Sequence, residues 1–262
     1  MLKSAIRSAL SHPLTRGLNL DSPETTRLRF RLIKEKSFLG KFYQDCYISL
    51  ANALADGIDG SILELGSGGG FIKEQIPQCI TSEILQVSGV DIILDGQNLP
   101  MGNATLAAIV MLDVLHHVPR VRLFLQEAAR CVKSGGVVVM FEPWNTPWSR
   151  LIYQHFHHEP FDPECRRWEF SKGGSLSRAN SALPWMVFER DRDRFESEFP
   201  EWEIVGIQLQ APFRYLFSGG VAYRSLVPGQ LYDLCKKIEG FLRPWLKYLA
   251  MFAVVILKRR GP

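Results

Sequence analysis

Apolar residues along the chain follow two different rhythms. Over residues 25–56, Phe30, Ile33, Phe38, Phe42, Tyr43, Tyr47, Leu50 and Leu54 recur at helical intervals, which predicts one or two amphipathic helices. From residue 60 the pattern changes to short apolar runs separated by loops and helical stretches. Ser61–Leu65, Cys79–Glu83, Val90–Leu94, Ala108–Leu112 and Val137–Phe141 read as five strands. The fourth is continuously apolar, as expected where a parallel sheet is covered on both faces. Helical material follows the first strand through Gln75; a later helix carries Val121, Phe124, Leu125, Ala128 and Val132, and Ser134-Gly135-Gly136 is expected to stop it. The tail adds a strand at Trp202–Gln210, a helix at Gln230–Tyr248 and a last strand at Phe252–Lys258.

This alternation predicts an α/β fold: a doubly wound, mostly parallel seven-stranded sheet that binds its ligand at the carboxyl ends of the strands. Residues 143–185, rich in Pro, Trp, His and Ser, are too long for a plain connection and read as a lid or substrate element after strand five. The expected organisation is an N-terminal helical arm or cap over 1–56, then a main domain over 57–262 with that lid inserted.

Composition narrows the function classes. With 262 residues and 46% hydrophobic content, the chain can bury a large core. The net charge of +4 is small, but residues 1–43 hold nine Lys or Arg against three Asp or Glu. That arm is either a solvated amphipathic face or a contact for an anionic substrate or membrane headgroups; without an aromatic-interleaved basic repeat, no nucleic-acid partner is expected. The cysteines at 46, 79, 131, 165 and 235 form no C-x-x-C pair, so neither a zinc knuckle nor a disulfide framework is indicated, and a reducing cytoplasm fits. No uninterrupted apolar signal region opens the chain. The apolar run Tyr248–Leu257 is about half the length of a spanning helix and is rich in strand formers; a buried strand is expected, with an interfacial segment as the alternative.

The candidate chemistry begins at Glu64-Leu65-Gly66-Ser67-Gly68-Gly69-Gly70-Phe71, where a strand ends in an acid and runs into glycines. Glycine suits a turn that must be tight, take positive φ and let a ligand approach without a Cβ in the way. A dinucleotide fingerprint would need glycine where Phe71 stands, and no Lys-Ser or Lys-Thr follows as in a phosphate-gripping loop. The acid-x-G-x-G-x-G pattern resembles the first motif of class I S-adenosylmethionine-dependent methyltransferases, and the resemblance covers residues 60–142 and, more loosely, the closing strands.

The resemblance implies S-adenosylmethionine as cofactor, a Rossmann-like methyltransferase fold, and a role for each matching position. Gly66, Ser67, Gly68 and Gly70 would form the cofactor turn, with Glu64 facing the methionine end through water. Glu83, closing strand two, would take both ribose hydroxyls, a carboxylate having two acceptor oxygens for a vicinal diol; Asp91 is the competing choice. Asp95 and Gly96 would meet the adenine edge, although an Asp there can also cap its own turn. Asp113-Val114-Leu115-His116-His117 would lie beside the transferred methyl. If a helical turn starts at Asp113, both histidines share its face, and three uses stay open: a general base at His117 or His116, a divalent-metal site, or structural packing under the lid. No metal is assigned. His155 to Glu159 in the lid can serve a substrate pocket, a metal or packing, and Glu142 can contact substrate or only finish strand five. The usual acid before strand four is absent, as is an asparagine-proline-proline type motif after it, so the resemblance favours a small-molecule or lipid-like acceptor over an amide or DNA base. The expectation is a methyltransferase acting on oxygen, nitrogen or carbon; a catalytically idle cofactor-binding or assembly protein and an NAD-dependent oxidoreductase are the alternatives.

Overall fold

The computed structural model describes residues 14, 22–54, 59–68, 71–157, 159–170 and 179–261. Gly70, most of the chain before Ser22, His158 and the lid residues 171–178 lie outside the described residues. Two helices open the described chain: α1 (Pro23–Glu35), capped by the Ser22 hydroxyl with Pro in its first turn, and α2 (Ser37–Ala53). Lys36 separates them in extended conformation, and its ammonium reaches the carbonyls of Gly220 and Tyr223.

A seven-stranded sheet follows, in the order β3-β2-β1-β4-β5-β7-β6. β1 (Ser61–Leu65), β2 (Ile80–Glu83), β3 (Ile92–Ile93), β4 (Leu106–Leu112) and β5 (Val132–Pro143) are parallel. β7 (Phe252–Arg259) runs antiparallel between β5 and β6 (Trp202–Gln210), which makes the sheet mixed at one end. The chain leaves β1 toward β3 in one direction and returns to β4 and β5 in the other, so right-handed crossovers put helices on both faces and open a crevice between the β1 and β4 carboxyl ends. α3 (Val121–Cys131) connects β4 to β5 and seals its apolar face with Val121, Phe124, Leu125 and Ala128, all inaccessible to solvent. α2 crosses the sheet near its centre, where Phe42 meets Phe141 of β5 and Phe252 of β7 at ring separations of 6.3 and 5.8 Å.

Several elements depart from the sequence pattern. The segment after the glycines is only a 3-10 turn, Phe71–Glu74. Ser134-Gly135-Gly136 does not end α3; the helix stops at Cys131 and the triplet forms a bulge inside β5, where the register to β4 shifts between Leu106 and Ala108. A Cβ on Gly136 would lie 2.6 Å from the Ala107 carbonyl, so the bulge demands glycine. The lid begins as a helix, α4 (Pro147–Phe156), and after its irregular stretch the chain becomes helical again at α5 (Leu183–Trp185), which runs into a π turn through Arg190 and then α6 (Arg192–Glu198). After β6 comes α7 (Arg214–Ser218). The helix expected over 230–248 is broken: α8 (Tyr232–Phe241) and α9 (Leu246–Leu249) flank a 3-10 turn at Arg243–Trp245, because Pro244 has no N–H for a continuing ladder. Tyr248–Leu257 divides between the end of α9 and a β7 whose residues Phe252 to Leu257 are all buried, as expected of a buried strand. Among the described residues no helix is long and apolar enough to cross a membrane.

Candidate active site

The β1 carboxyl end turns on two left-handed glycines, Gly66 at φ +66° and Gly68 at φ +52°. A Cβ on Gly66 would sit 2.5 Å from the Val114 side chain, which ties this turn to the loop after β4. Ser67 is buried and stitches the turn to β2: its N–H donates to the Ser82 carbonyl at 2.8 Å and its Oγ accepts from the Ser82 N–H at 3.0 Å. Glu83 ends β2 with one carboxylate oxygen accepting from Gly68 N–H (3.0 Å) and the other from Ile84 N–H (2.9 Å). Asp91 is turned elsewhere, held by Lys73 and by the Thr81 N–H and hydroxyl, which depress its pKa to about 2. It joins β2 to the β3 edge and does not border the cavity described next.

Gly66, Ser67, Gly68, Glu83, Asp95, Gly96, Asp113 and His117 all border one cavity of about 350 Å3, within the ~300–1,000 Å3 typical of small-molecule sites. Its floor is the sheet crevice; its roof is α1 through Thr26, Arg29, Phe30 and Ile33, with Tyr43 and Tyr47 from α2. Phe71 also lines it and packs on Phe30 at 4.9 Å, so the residue that spoils a dinucleotide fingerprint joins the glycine turn to the roof. Asp95 is exposed and closes its own turn, accepting from the Gln97 N–H at 2.9 Å and from the Gln97 side chain. It holds the loop at the cavity edge in that way. Arg29, Tyr43 and Tyr215 are cavity residues that sequence reasoning missed; a tyrosine on an otherwise apolar helix face was the available signal for Tyr43.

Glu64 lies behind this wall, 1% exposed, and only the nearby Ser67 and Tyr47 hydroxyls, neither in full hydrogen-bond geometry, face its carboxylate. Desolvation raises its pKa to about 7, opposed by the Ser67 and Tyr47 hydroxyls and reinforced by Glu83. Beyond β4 the backbone turns sharply at Asp113, a non-glycine residue at φ +62° whose N–H donates to the Phe141 carbonyl. A 3-10 turn, Leu115–His117, follows in place of a longer helix. The two imidazoles lie side by side, ring centroids 4.2 Å apart, but only one of them borders the cavity. His116 is fully buried beneath the cavity, with Nδ1 2.7 Å from Glu142 Oε2 and Nε2 3.3 Å from Glu159 Oε2. Glu142 also accepts from the Val114 and Leu115 N–H groups, at 2.8 and 2.6 Å, so the acid that ends β5 fixes the whole turn. Burial works against charge on His116, but the hydrogen bonds to Glu142 and Glu159 outweigh it and hold the imidazolium well above the ordinary histidine value.

His117 faces the cavity, with its Nε2 3.6 Å from Glu159 Oε1, and Glu159 is brought there by the lid. Asp113 stands at the same end, its carboxyl raised by desolvation, opposed by His116 and reinforced by Glu159 and Glu142. Two overlapping trios, His116/His117/Glu159 and Asp113/His116/Glu142, each bring their ligand-type atoms within 4.8 Å of one another. Both nitrogens of His116 are already engaged by carboxylates, however, so the imidazolium serves as the counter-charge of the acids.

The strand order and a glycine turn at the switch point define a Rossmann-like fold of the class I type. Residues 63–140 match the family model described as a methyltransferase domain, in agreement with the resemblance read from the sequence. The match supports a methyltransferase that uses S-adenosylmethionine. Geranyl diphosphate C-methyltransferase from Streptomyces coelicolor A3(2), solved with Mg2+, geranyl diphosphate and S-adenosyl-L-homocysteine, has a TM-score of 0.50 and 14% identity over 85% of this chain and 81% of its own. A geranyl diphosphate methyltransferase solved with GPP and sinefungin has a TM-score of 0.50 and 16% identity over 89% and 83%. At these identities the likeness establishes the fold. No curated protein matches the chain in sequence.

Proposed function

We propose that the chain transfers the methyl group of S-adenosylmethionine to an oxygen, nitrogen or carbon of a small or lipid-like acceptor, with the cofactor at the Glu83 end of the cavity and the acceptor at the Glu159 end. One observation supports this most: a single cavity runs from Gly68 and Glu83 to Asp113, His117 and Glu159. The cofactor end fits the group. Glu83 offers acceptor oxygens for a ribose diol, Gly68 leaves room for close approach, and the buried carboxylate of Glu64 suits a ligand carrying ammonium and sulfonium charge. Bound there, the cofactor supplies an electrophilic methyl group. The chain's own part is to align the acceptor, exclude water with α1 and the lid, and accept a proton.

The acceptor end is bordered by Asp113 and Glu159, the imidazoles of His117 and His157, the phenols of Tyr43 and Tyr215 and the Arg29 guanidinium, a polar lining that suits a hydroxyl or amine. The His117–Glu159 pair, with the imidazole Nε2 3.6 Å from the carboxylate, receives the proton of that nucleophile; His116 is too buried and too firmly ion-paired to do so. Calorimetry with S-adenosylhomocysteine is expected to show binding that Glu83→Ala weakens at least ~10-fold. With a hydroxyl acceptor, His117→Ala should lower kcat about 10²–10⁴-fold while leaving that affinity intact. Absence of S-adenosylhomocysteine binding, with binding of NADH instead, would refute the reading; binding without release of S-adenosylhomocysteine in any acceptor mixture would mark an idle binder.

A further inference from the structure

One face of the molecule carries apolar side chains that the active site does not use. Leu234, Ile238 and Phe241 stand at i, i+4 and i+7 on α8 and are 54%, 51% and 79% exposed. Leu231 precedes them, and Trp245 and Tyr248 continue the three-four spacing through the following turns, each between 44% and 53% exposed. The opposite side of α8 is anchored in the body: Tyr232 and Glu239 are buried, with Tyr232 donating to Asp45 and Glu239 accepting from Arg214. The outward direction of the apolar stripe is therefore fixed by the fold and does not arise from a loosely attached helix.

Charge identifies what covers this face. The two acids of the segment are neutralised within the protein, Asp233 by Lys41 and Glu239 by Arg214. Lys237, Arg243 and Lys247 are exposed and have no acidic partner among the described residues; Lys247 lies over the Tyr248 ring at 4.9 Å. Exposed Phe, Trp, Tyr and branched aliphatics edged by unpaired cations match the interface of a bilayer, where apolar rings enter the acyl boundary and ammonium or guanidinium groups remain among the headgroups. The unneutralised positive edge of this apolar stripe specifies an anionic surface. We propose that α8, the turn at Arg243–Trp245 and α9 dock the protein onto a membrane containing anionic phospholipid.

The test is flotation of the full chain with vesicles of phosphatidylcholine alone and of an equal mixture of phosphatidylcholine and phosphatidylserine. Binding is expected to the mixed vesicles, to fall as salt is raised, and to drop at least ~10-fold in Ile238→Gln/Phe241→Gln/Trp245→Gln. The Lys237→Gln/Arg243→Gln/Lys247→Gln variant should lose the preference for phosphatidylserine while keeping residual affinity for both vesicles. All these side chains point away from the core, and an unchanged melting temperature in each variant verifies the fold. Failure of the wild type to float with mixed vesicles overturns the proposal, as does equal flotation of the apolar triple variant. A concentration-dependent dimer that Phe241→Gln dissolves, without vesicle binding, would assign the face to a second copy of the chain and would also overturn it.

Discussion

Glu64 and His116 are buried acid and base, one neutral and the other charged when protonated, and both make the folded state hold protons that the unfolded chain releases. The Glu64 pKa rises to about 7 from an ordinary value of 4.5, so native stability falls as pH increases through that window, by about 3 kcal/mol. His116 is also raised, so its contribution is complete below the unfolded value of ~6.5 and is lost as pH climbs through the higher folded value. Urea unfolding of the cofactor-free protein should therefore show a decline between pH 5 and 7 that Glu64→Gln abolishes; the same slope in both proteins would show that Glu64 is not desolvated. Glu142→Gln should cost about 3–5 kcal/mol, since it leaves the buried imidazolium short of a partner and loosens two backbone donors. The roles of these two residues differed in legibility. An acid at the end of β1 is visible in sequence, whereas Glu142 and His116 meet only because β4 and β5 are neighbours in the sheet, 26 residues apart in the chain. Nothing local distinguishes the buried histidine from the one that faces the cavity; the left-handed turn at Asp113 decides it.

Elements whose apolar pattern matched their burial were legible, and those set by tertiary contacts were not. Six of the seven strands stand close to where alternation and β-branched content put them, but β3 shrinks to two residues because only two register pairs join it to β2. Ser134-Gly135-Gly136 has the composition of a helix stop, yet the same residues serve a bulge once β4 lies alongside. Pro244 was a visible breaker inside a pattern whose apolar spacing argued for continuity. The lid helix α4 shows the local code most plainly: Thr146 accepts from Ser149 N–H at 3.1 Å, Ser149 Oγ accepts from Thr146 N–H at 2.8 Å, and Pro147 opens the first turn. Thr146 Oγ1 also donates to the Ala250 carbonyl at 2.9 Å, so the cap joins the lid to the β7 approach. Thr146→Ala should cost about 1–2 kcal/mol in chemical denaturation and raise hydrogen exchange in α4 ahead of the sheet. Uniform exchange would show that the cap does not define an independent unit.

At the scale of the molecule, the sheet supplies a rigid floor, and the roof of α1 is fastened to it by few contacts near the glycine turn. Phe30 of α1 stacks on Phe71 at 4.9 Å; Lys34 lies 4.5 Å above Phe30 and 5.7 Å from Phe71, and Tyr47 of α2 is 6.3 Å from Phe71. α1 is independently held by Leu32 and Ile33, both buried, so loss of the ring pair should loosen the roof over the cavity without unfolding the helix. An aromatic pair of this kind contributes about 0.5–1.5 kcal/mol beyond its area. Phe30→Ala and Phe71→Ala should each weaken S-adenosylhomocysteine binding by roughly 3–10-fold while moving the urea midpoint little. Because the two rings act through each other, the double variant should bind about as weakly as either single one, with a coupling of at least ~0.5 kcal/mol. Additive losses would mean that each ring touches the cofactor on its own and that the roof is held elsewhere. If affinity is unchanged in all three variants, α1 does not close over the bound cofactor, and water exclusion must come from the lid through His157 and Glu159.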